Sequence, residues 1–367
     1  MHKKSVKKLY FFCYLTLLSI VGAVLLLREF APGASATRNL LSVAQYANEG
    51  EVKLLIQKGA KVNAVDENQW TPLMLAAWQN PNSGVLKVLI DNGADVNAAT
   101  KDGWTPLMFA AWQNPNSGVL KVLIDNGADV QVTNKDGFTP LMVGIQYNLD
   151  SESLRLLIEK GVNVNDNGLS SSLTLAAQYS SNPEVFRLLI EKGANINFAD
   201  KDGWTPLMYA AGNNPNPDVL RVFFDNGADV NGVYKDGKTL LMLAAGNNSK
   251  AEILQLLLKR GANVNAVDKN GWTPLMCAAG LNSNPDVLRI LLENGADING
   301  VDSKGRTPLM CAAVNSSPEI IKFLLESGAD VEAKDKEGKS ALDYAEANKL
   351  KGTGAYNLLR EKTLAPK

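Results

Sequence analysis

One phrase governs what this chain can become: Trp70-Thr71-Pro72-Leu73-Met74 returns as Trp104 to Met108, Phe138 to Met142, Trp204 to Met208, Lys238 to Met242, Trp272 to Met276 and Arg306 to Met310. Neighbouring copies are mostly 34 residues apart. A second marker runs in phase with it at Gly59, Gly93, Gly127, Gly161, Gly193, Gly227, Gly261, Gly295 and Gly328, usually inside Gly-Ala-Asp/Asn-Val-Asn. A fixed period of this length means a supersecondary unit that cannot bury its apolar face alone, so the chain must fold by stacking neighbours.

Local chemistry builds the unit. Thr71 is a helix cap and Pro72 suits the first helical position, where no backbone N–H is needed. The helix runs through Leu73, Met74, Leu75, Ala76 and Ala77, where the small Ala pair lets helices approach, and breaks at Asn80-Pro81-Asn82. A second helix carries Val85, Leu86, Val88, Leu89 and Ile90 on an apolar face; in four units it opens with Asn182-Pro183, Asn216-Pro217, Asn284-Pro285 or Ser317-Pro318, again a cap and a first helical residue. Gly93 supplies the left-handed residue that ends it, and the polar stretch from Asn97 to Gly103 reads as a turn or short hairpin.

Thr-Pro-Leu-x-x-Ala-Ala together with Gly-Ala-Asp-Val-Asn closely resembles the ankyrin-repeat family over roughly residues 39–362. The resemblance implies an all-α repeat solenoid, helix-turn-helix units joined by short β-hairpin or turn segments, here preceded by one hydrophobic helix. Ten units are expected near 39–65, 66–99, 100–133, 134–165, 166–199, 200–233, 234–267, 268–301, 302–334 and 335–362, with a tail at 363–367. The family's usual histidine, which hydrogen-bonds between units, is replaced by Met74, Met108, Met142, Met208, Met242, Met276 and Met310. Thioether packing is therefore expected to take over from polar cross-linking. Most units carry one residue beyond the family's usual period, which a loop absorbs. The spacing from Gly161 to Gly193 is 32, so that unit has a shortened hairpin, and it lacks Thr-Pro. The terminal units, Asn39 to Lys58 and the one containing Ser340-Ala341-Leu342-Asp343-Tyr344-Ala345, differ as capping requires.

Ahead of the repeats, Lys3, Lys4, Lys7 and Lys8 precede an uncharged run over residues 9–27 that closes at Arg28 and Glu29. As a helix its 19 residues reach about 28 Å, near the roughly 30 Å hydrocarbon core of a bilayer. The positive-inside rule places residues 1–8 in the cytoplasm, with 28–38 as linker and the repeats on the non-cytoplasmic side of a single-pass membrane protein. An alternative stays open: Ala34-Ser35-Ala36 has the form of a signal-peptidase site, and cleavage near Ala36 would release an exported, periplasmic or secreted chain. The length of the apolar run favours the uncleaved anchor. Cys13 reads as membrane filler.

The side chains offer little to catalysis. The sole histidine, His2, sits ahead of the apolar run, away from the repeats. Residues 37–367 are mildly acidic and hold no basic cluster, which argues against nucleic acid. Cys277 and Cys311 fill one slot in adjacent units, where Leu75, Phe109, Val143, Tyr209 and Leu243 stand elsewhere, and are expected to be free core thiols. Asp229-Val230-Asn231-Gly232 lacks the later ligands of a calcium loop, and Gly352-Thr353-Gly354 lacks the context of a phosphate loop. No catalytic residue, metal or cofactor is expected.

What remains is an aromatic series. The hairpin positions are Trp70, Trp104, Phe138, Trp204, Lys238, Trp272 and Arg306; the series placed at the exposed end of the first helix begins Trp78, Trp112, Tyr147 and Tyr179, with Gln79 and Gln113 beside the tryptophans. Ankyrin repeats generally bind partners through these positions, so the resemblance implies a non-catalytic scaffold whose concave hairpin and first-helix surface holds an unidentified protein. The hairpin tryptophans have a second reading, packing over neighbouring hairpins. A structural array, joined to an envelope or membrane complex through its leader and using no groove, is the alternative function. Trp70–Val96 and Trp104–Val130 differ only at Leu75/Phe109, which gives two nearly identical surfaces side by side.

Overall fold

The structure, a computed structural model, describes residues 34–114, 116–161, 163–165, 171–247, 250–315, 317–348 and 352–364. The basic flank, the apolar segment at 9–27, Cys13 and His2 lie outside these residues. No helix among the described residues is long and apolar enough to cross a membrane.

The chain divides after Asn163 into two blocks. The N-terminal block pairs α1 (Ala34–Val43) with α2 (Glu49–Gln57), α3 (Pro72–Gln79) with α4 (Ser83–Asp91), α5 (Pro106–Gln113) with α6 (Ser117–Asp125), and α7 (Pro140–Gln146) with α8 (Ser151–Glu159). The C-terminal block pairs α9 (Ser172–Tyr179) with α10 (Pro183–Glu191), α11 (Pro206–Asn213) with α12 (Pro217–Asp225), and α13 (Leu240–Asn247) with α14 (Ala251–Lys259). It continues with α15 (Pro274–Leu281) and α16 (Pro285–Glu293), α17 (Pro308–Asn315) and α18 (Pro318–Glu326), and α19 (Ala341–Ala347) and α20 (Gly354–Leu364). Within each block first helices pack on first helices and second on second, which is an all-α repeat solenoid.

The caps form as the sequence dictates. The hydroxyls of Thr71, Thr105, Thr139, Thr205 and Thr273 accept the backbone N–H of the methionine three residues on, at 3.2–3.4 Å. Ser171 does the same for Thr174 at 3.2 Å in the unit without Thr-Pro. Asn182, Asn216 and Asn284 cap the second helices through the N–H two residues later. The core is the row of buried Leu, Met and Ala on the first helices facing Val, Leu, Ile and Phe of the second.

Two features differ from expectation. The first helix begins at Ala34, inside the stretch expected to be linker: Ala36 is buried, and Thr37 Oγ1 accepts the Lys61 N–H at 2.9 Å. The segments expected as turns or short hairpins are turns, as at Asp66 N–H to Trp70 O and Gln69 N–H to Asp66 O, both 3.1 Å, and no strand forms among the described residues.

Polar cross-linking has also survived the loss of histidine, carried by asparagine. Asn114 Nδ2 donates to Ala77 O (2.8 Å) and Asn80 O (3.0 Å) of the preceding repeat, and Asn80 Nδ2 to Ala44 O and Ala47 O. Asn214 and Asn282 reach back likewise to Ser180 O and Ala245 O. A second, exposed ladder runs forward: Asn63 Nδ2 donates to Gly93 O and its Oδ1 accepts from Asp95 N, and Asn97, Asn231 and Asn265 repeat the pattern. The methionines keep a polar role as well. Met74, Met208 and Met310 accept the N–H of their own capping threonines on sulfur at 3.3–3.5 Å.

Candidate binding surface

The aromatic residues of the N-terminal block converge. Trp78 stacks on Trp112, centroids 5.7 Å apart, and meets Trp70 edge-on at 5.4 Å. Phe109 lies 4.2 Å from Trp70 and 5.4 Å from Trp104; Trp104 lies 5.6 Å from Trp112, and Trp112 5.8 Å from Tyr147. Phe109 stands at the single position where Trp104–Val130 differs from Trp70–Val96. Its ring adds contacts to Trp70 of the preceding repeat and to Trp104 of its own, beside the direct stack of Trp78 on Trp112.

Trp78 is 9% exposed, which corrects its expected place at an exposed helix end. Its indole N–H donates to Gln113 Oε1 at 3.3 Å, so Gln113, itself exposed, holds a tryptophan of the preceding repeat. Trp70, Trp104, Trp112 and Gln79 are half-buried. Trp70 therefore packs on Phe109 of the next repeat while Trp104 packs on Phe109 and Trp112 of its own, and both keep part of their surface in solvent.

Tyr147 and Tyr179 do not share the tryptophan slot. They stand eight residues after Thr139 and Ser171, whereas Trp78 and Trp112 stand seven after Thr71 and Thr105. Their slot is that of Gln79 and Gln113; Tyr147 is half-buried, and Tyr179 is exposed. Phe138 is half-buried, its N–H on Asn134 Oδ1 at 2.9 Å.

In the C-terminal block the hairpin aromatics have individual partners. Trp204 meets Tyr209 at 5.2 Å. The Tyr209 hydroxyl donates to Asp200 Oδ2 at 2.7 Å, and burial and that carboxylate push its pKa well above the usual phenol range. Trp272 lies beneath the Arg306 guanidinium, 5.6 Å from ring centroid to its carbon. Arg306 is gripped by Asp302 Oδ2, at 2.7 Å from Nε and 2.6 Å from a terminal nitrogen. Leu281 and Val314, at the ends of their first helices, are exposed.

Chemically the surface can stack, bury apolar area and accept hydrogen bonds. Cys277 and Cys311 are free and buried, and burial pushes both thiols up to about 12, so neither is a thiolate near neutral pH.

The paired helices, capping threonines and left-handed glycines define a class, the helical repeat protein built by stacking one unit on the next. A family model for ankyrin repeats, three copies at a time, matches overlapping segments 19–100, 40–134, 79–168, 163–233, 211–302, 241–335 and 282–360. The chain belongs to the ankyrin-repeat family. No curated protein matches it.

Proposed function

We propose that the chain is a non-catalytic scaffold that binds a protein partner on its hairpin and first-helix surface. The carrying observation is the half-buried wall of Trp70, Trp104 and Trp112. Burial of Trp78, held by Gln113, supplies the scaffold behind that wall, and Tyr147 packs on Trp112; Gln79 and Phe138 belong to the same series in the sequence, which Tyr179, Trp204 and Trp272 continue in the C-terminal block. Trp and Tyr are enriched where binding energy concentrates, because one rigid side chain covers much area at little entropic cost. The uncharged run at 9–27 supports delivery to a membrane, with the repeats on its non-cytoplasmic side.

A second reading, a structural array joined to a membrane complex through its leader, draws on the extent to which the tryptophans satisfy one another. One experiment separates the two. A photo-crosslinking residue at Gln113 or Tyr179, compared with one at Lys322 on the second-helix row, should trap a discrete partner in intact cells from the first two positions. Equal trapping at Lys322, or none at Gln113 and Tyr179 with association lost on deleting residues 1–33, would favour the array. The mature N-terminus and protease accessibility of the repeats in intact cells test the compartment.

A further inference from the structure

The C-terminal block carries a worked example of what a hairpin tryptophan here accepts. Arg306 of one repeat lies over Trp272 of the preceding one. Asp302 is built to hold it there: Oδ1 accepts the backbone N–H groups of Lys304 (2.9 Å) and Arg306 (2.8 Å), and Oδ2 is left for the guanidinium. Cys311, a small residue, lies with the Trp272 ring against Gly280. Among the described residues this is the one cation placed over a tryptophan.

The equivalent positions around Trp104 are Phe138 for Arg306, Asn134 for Asp302 and Val143 for Cys311. The platform is kept. Asn134 Oδ1 accepts from Asp136 N (3.0 Å) and Phe138 N (2.9 Å), copying both backbone bonds of Asp302, and Val143 is again small. The cation is what has gone. Trp104 touches Phe109 and Trp112 of its own repeat and remains half-buried. The surroundings suit a positive charge. Helices α3, α5 and α7 carry no charged residue, the turns before Trp104 and Phe138 balance Lys101 and Lys135 with Asp102 and Asp136, Lys135 Nζ lying 3.7 Å from Asp102 Oδ1, the turn before Trp70 adds Asp66 and Glu67, and residues 34–163 contain 10 basic against 13 acidic side chains.

We propose that the Trp70–Trp104–Trp112 wall takes an arginine side chain of the protein partner, seated on Trp104 as Arg306 is seated on Trp272. This rests on the scaffold reading and names the chemistry of what the scaffold holds. A guanidinium is favoured over an ammonium because its plane can lie on the indole and its weaker hydration makes desolvation cheaper. The acidic balance of the block brings such a segment in, and the indole face supplies the preference over an uncharged residue.

The test uses the full chain and two labelled peptides, one of alternating Gly and Arg and its twin with citrulline, which has nearly the same shape and no charge. Anisotropy and tryptophan emission should show the arginine peptide binding about fivefold tighter or more at fixed ionic strength. Asn134→Asp/Phe138→Arg leaves the net charge unchanged and reproduces the Asp302–Arg306 pair on Trp104. It should reduce arginine-peptide binding to the citrulline level while circular dichroism shows the fold retained. Arg306→Ala uncovers Trp272 and should add a second site that Trp272→Leu removes. Equal binding of the two peptides, or arginine binding indifferent to Asn134→Asp/Phe138→Arg, overturns the proposal. Crosslinks at Gln113 persisting in that case would leave the scaffold reading standing; their absence removes the scaffold reading itself.

Discussion

The indoles of Trp78 and Trp112 lie 13° from parallel with their centroids 5.7 Å apart, joining the first helices of successive repeats. Trp78 is the buried member, so Trp78→Ala should cost about 3–5 kcal/mol, and Trp112→Ala distinctly less. The double variant should reveal a coupling of about 0.5–1.5 kcal/mol. Urea unfolding followed by far-ultraviolet circular dichroism measures all three. Equal single costs with no coupling would mean that the stack contributes nothing beyond area.

The buried amide clip gives a second expectation. Asn114→Ala strips the donor from two carbonyls of the preceding repeat, Ala77 O and Asn80 O, and the acceptor from Asn116 N–H. Buried groups left unsatisfied cost about 1–3 kcal/mol. Asn63→Ala removes a similar pair of bonds at an exposed site, where water replaces them, and should cost about 1 kcal/mol or less. The comparison is made by urea midpoints, and a larger loss at Asn63 would reverse the assignment of which ladder holds the stack.

The fold was legible because its signals are local. A threonine before a proline starts a helix, and a glycine after an apolar face ends one, whatever the neighbouring repeat does. The site was less legible because it depends on contacts between repeats. Trp70 and Met74 of its own unit pack on Trp78, but Trp112 and Phe109, which complete its surroundings, lie 34 and 31 residues later. Asn80, Asn114, Asn214 and Asn282 recur in phase and could have been seen as cross-repeat clips, yet the proline beside most of them makes a helix break the simpler reading. Counting from the capping residue would have placed Tyr147 and Tyr179 in the glutamine slot.

Burial of the thiols makes the C-terminal block sensitive to alkali. Cys277 and Cys311 ionise near 12 in the folded chain and near 9 when exposed. Between those values the unfolded chain has released protons that the folded chain still holds, so stability is intact below about pH 9 and falls as pH rises toward 12. Tyr344, raised to about 12 by burial and its bond to Asp335, adds to the same trend. Urea midpoints should drop between about pH 8 and pH 10.5, less steeply in Cys277→Ala/Cys311→Ala. An identical slope in that variant would remove the thiols from the account.

Two glycines with the same left-handed backbone should respond differently to a methyl group. Gly93 has φ +86°, and a Cβ there would have no atom within 4 Å, so Gly93→Ala should cost only the backbone strain, about 1–2 kcal/mol. Gly271 has φ +77°, and its Cβ would lie 2.7 Å from the Ser303 nitrogen and 3.1 Å from Asp302 Cα. The Ser303 N–H donates to Asn270 O at 2.8 Å, so relieving the clash means parting two adjacent turns and losing that bond. Gly271→Ala should therefore cost about 1 kcal/mol more than Gly93→Ala. It should also disturb Arg306 on Trp272, since Asp302 precedes Ser303 directly, and the emission of the chain should shift with it. Matching costs for the two variants, with unchanged emission, would show that the turns are not packed as closely as their backbones indicate.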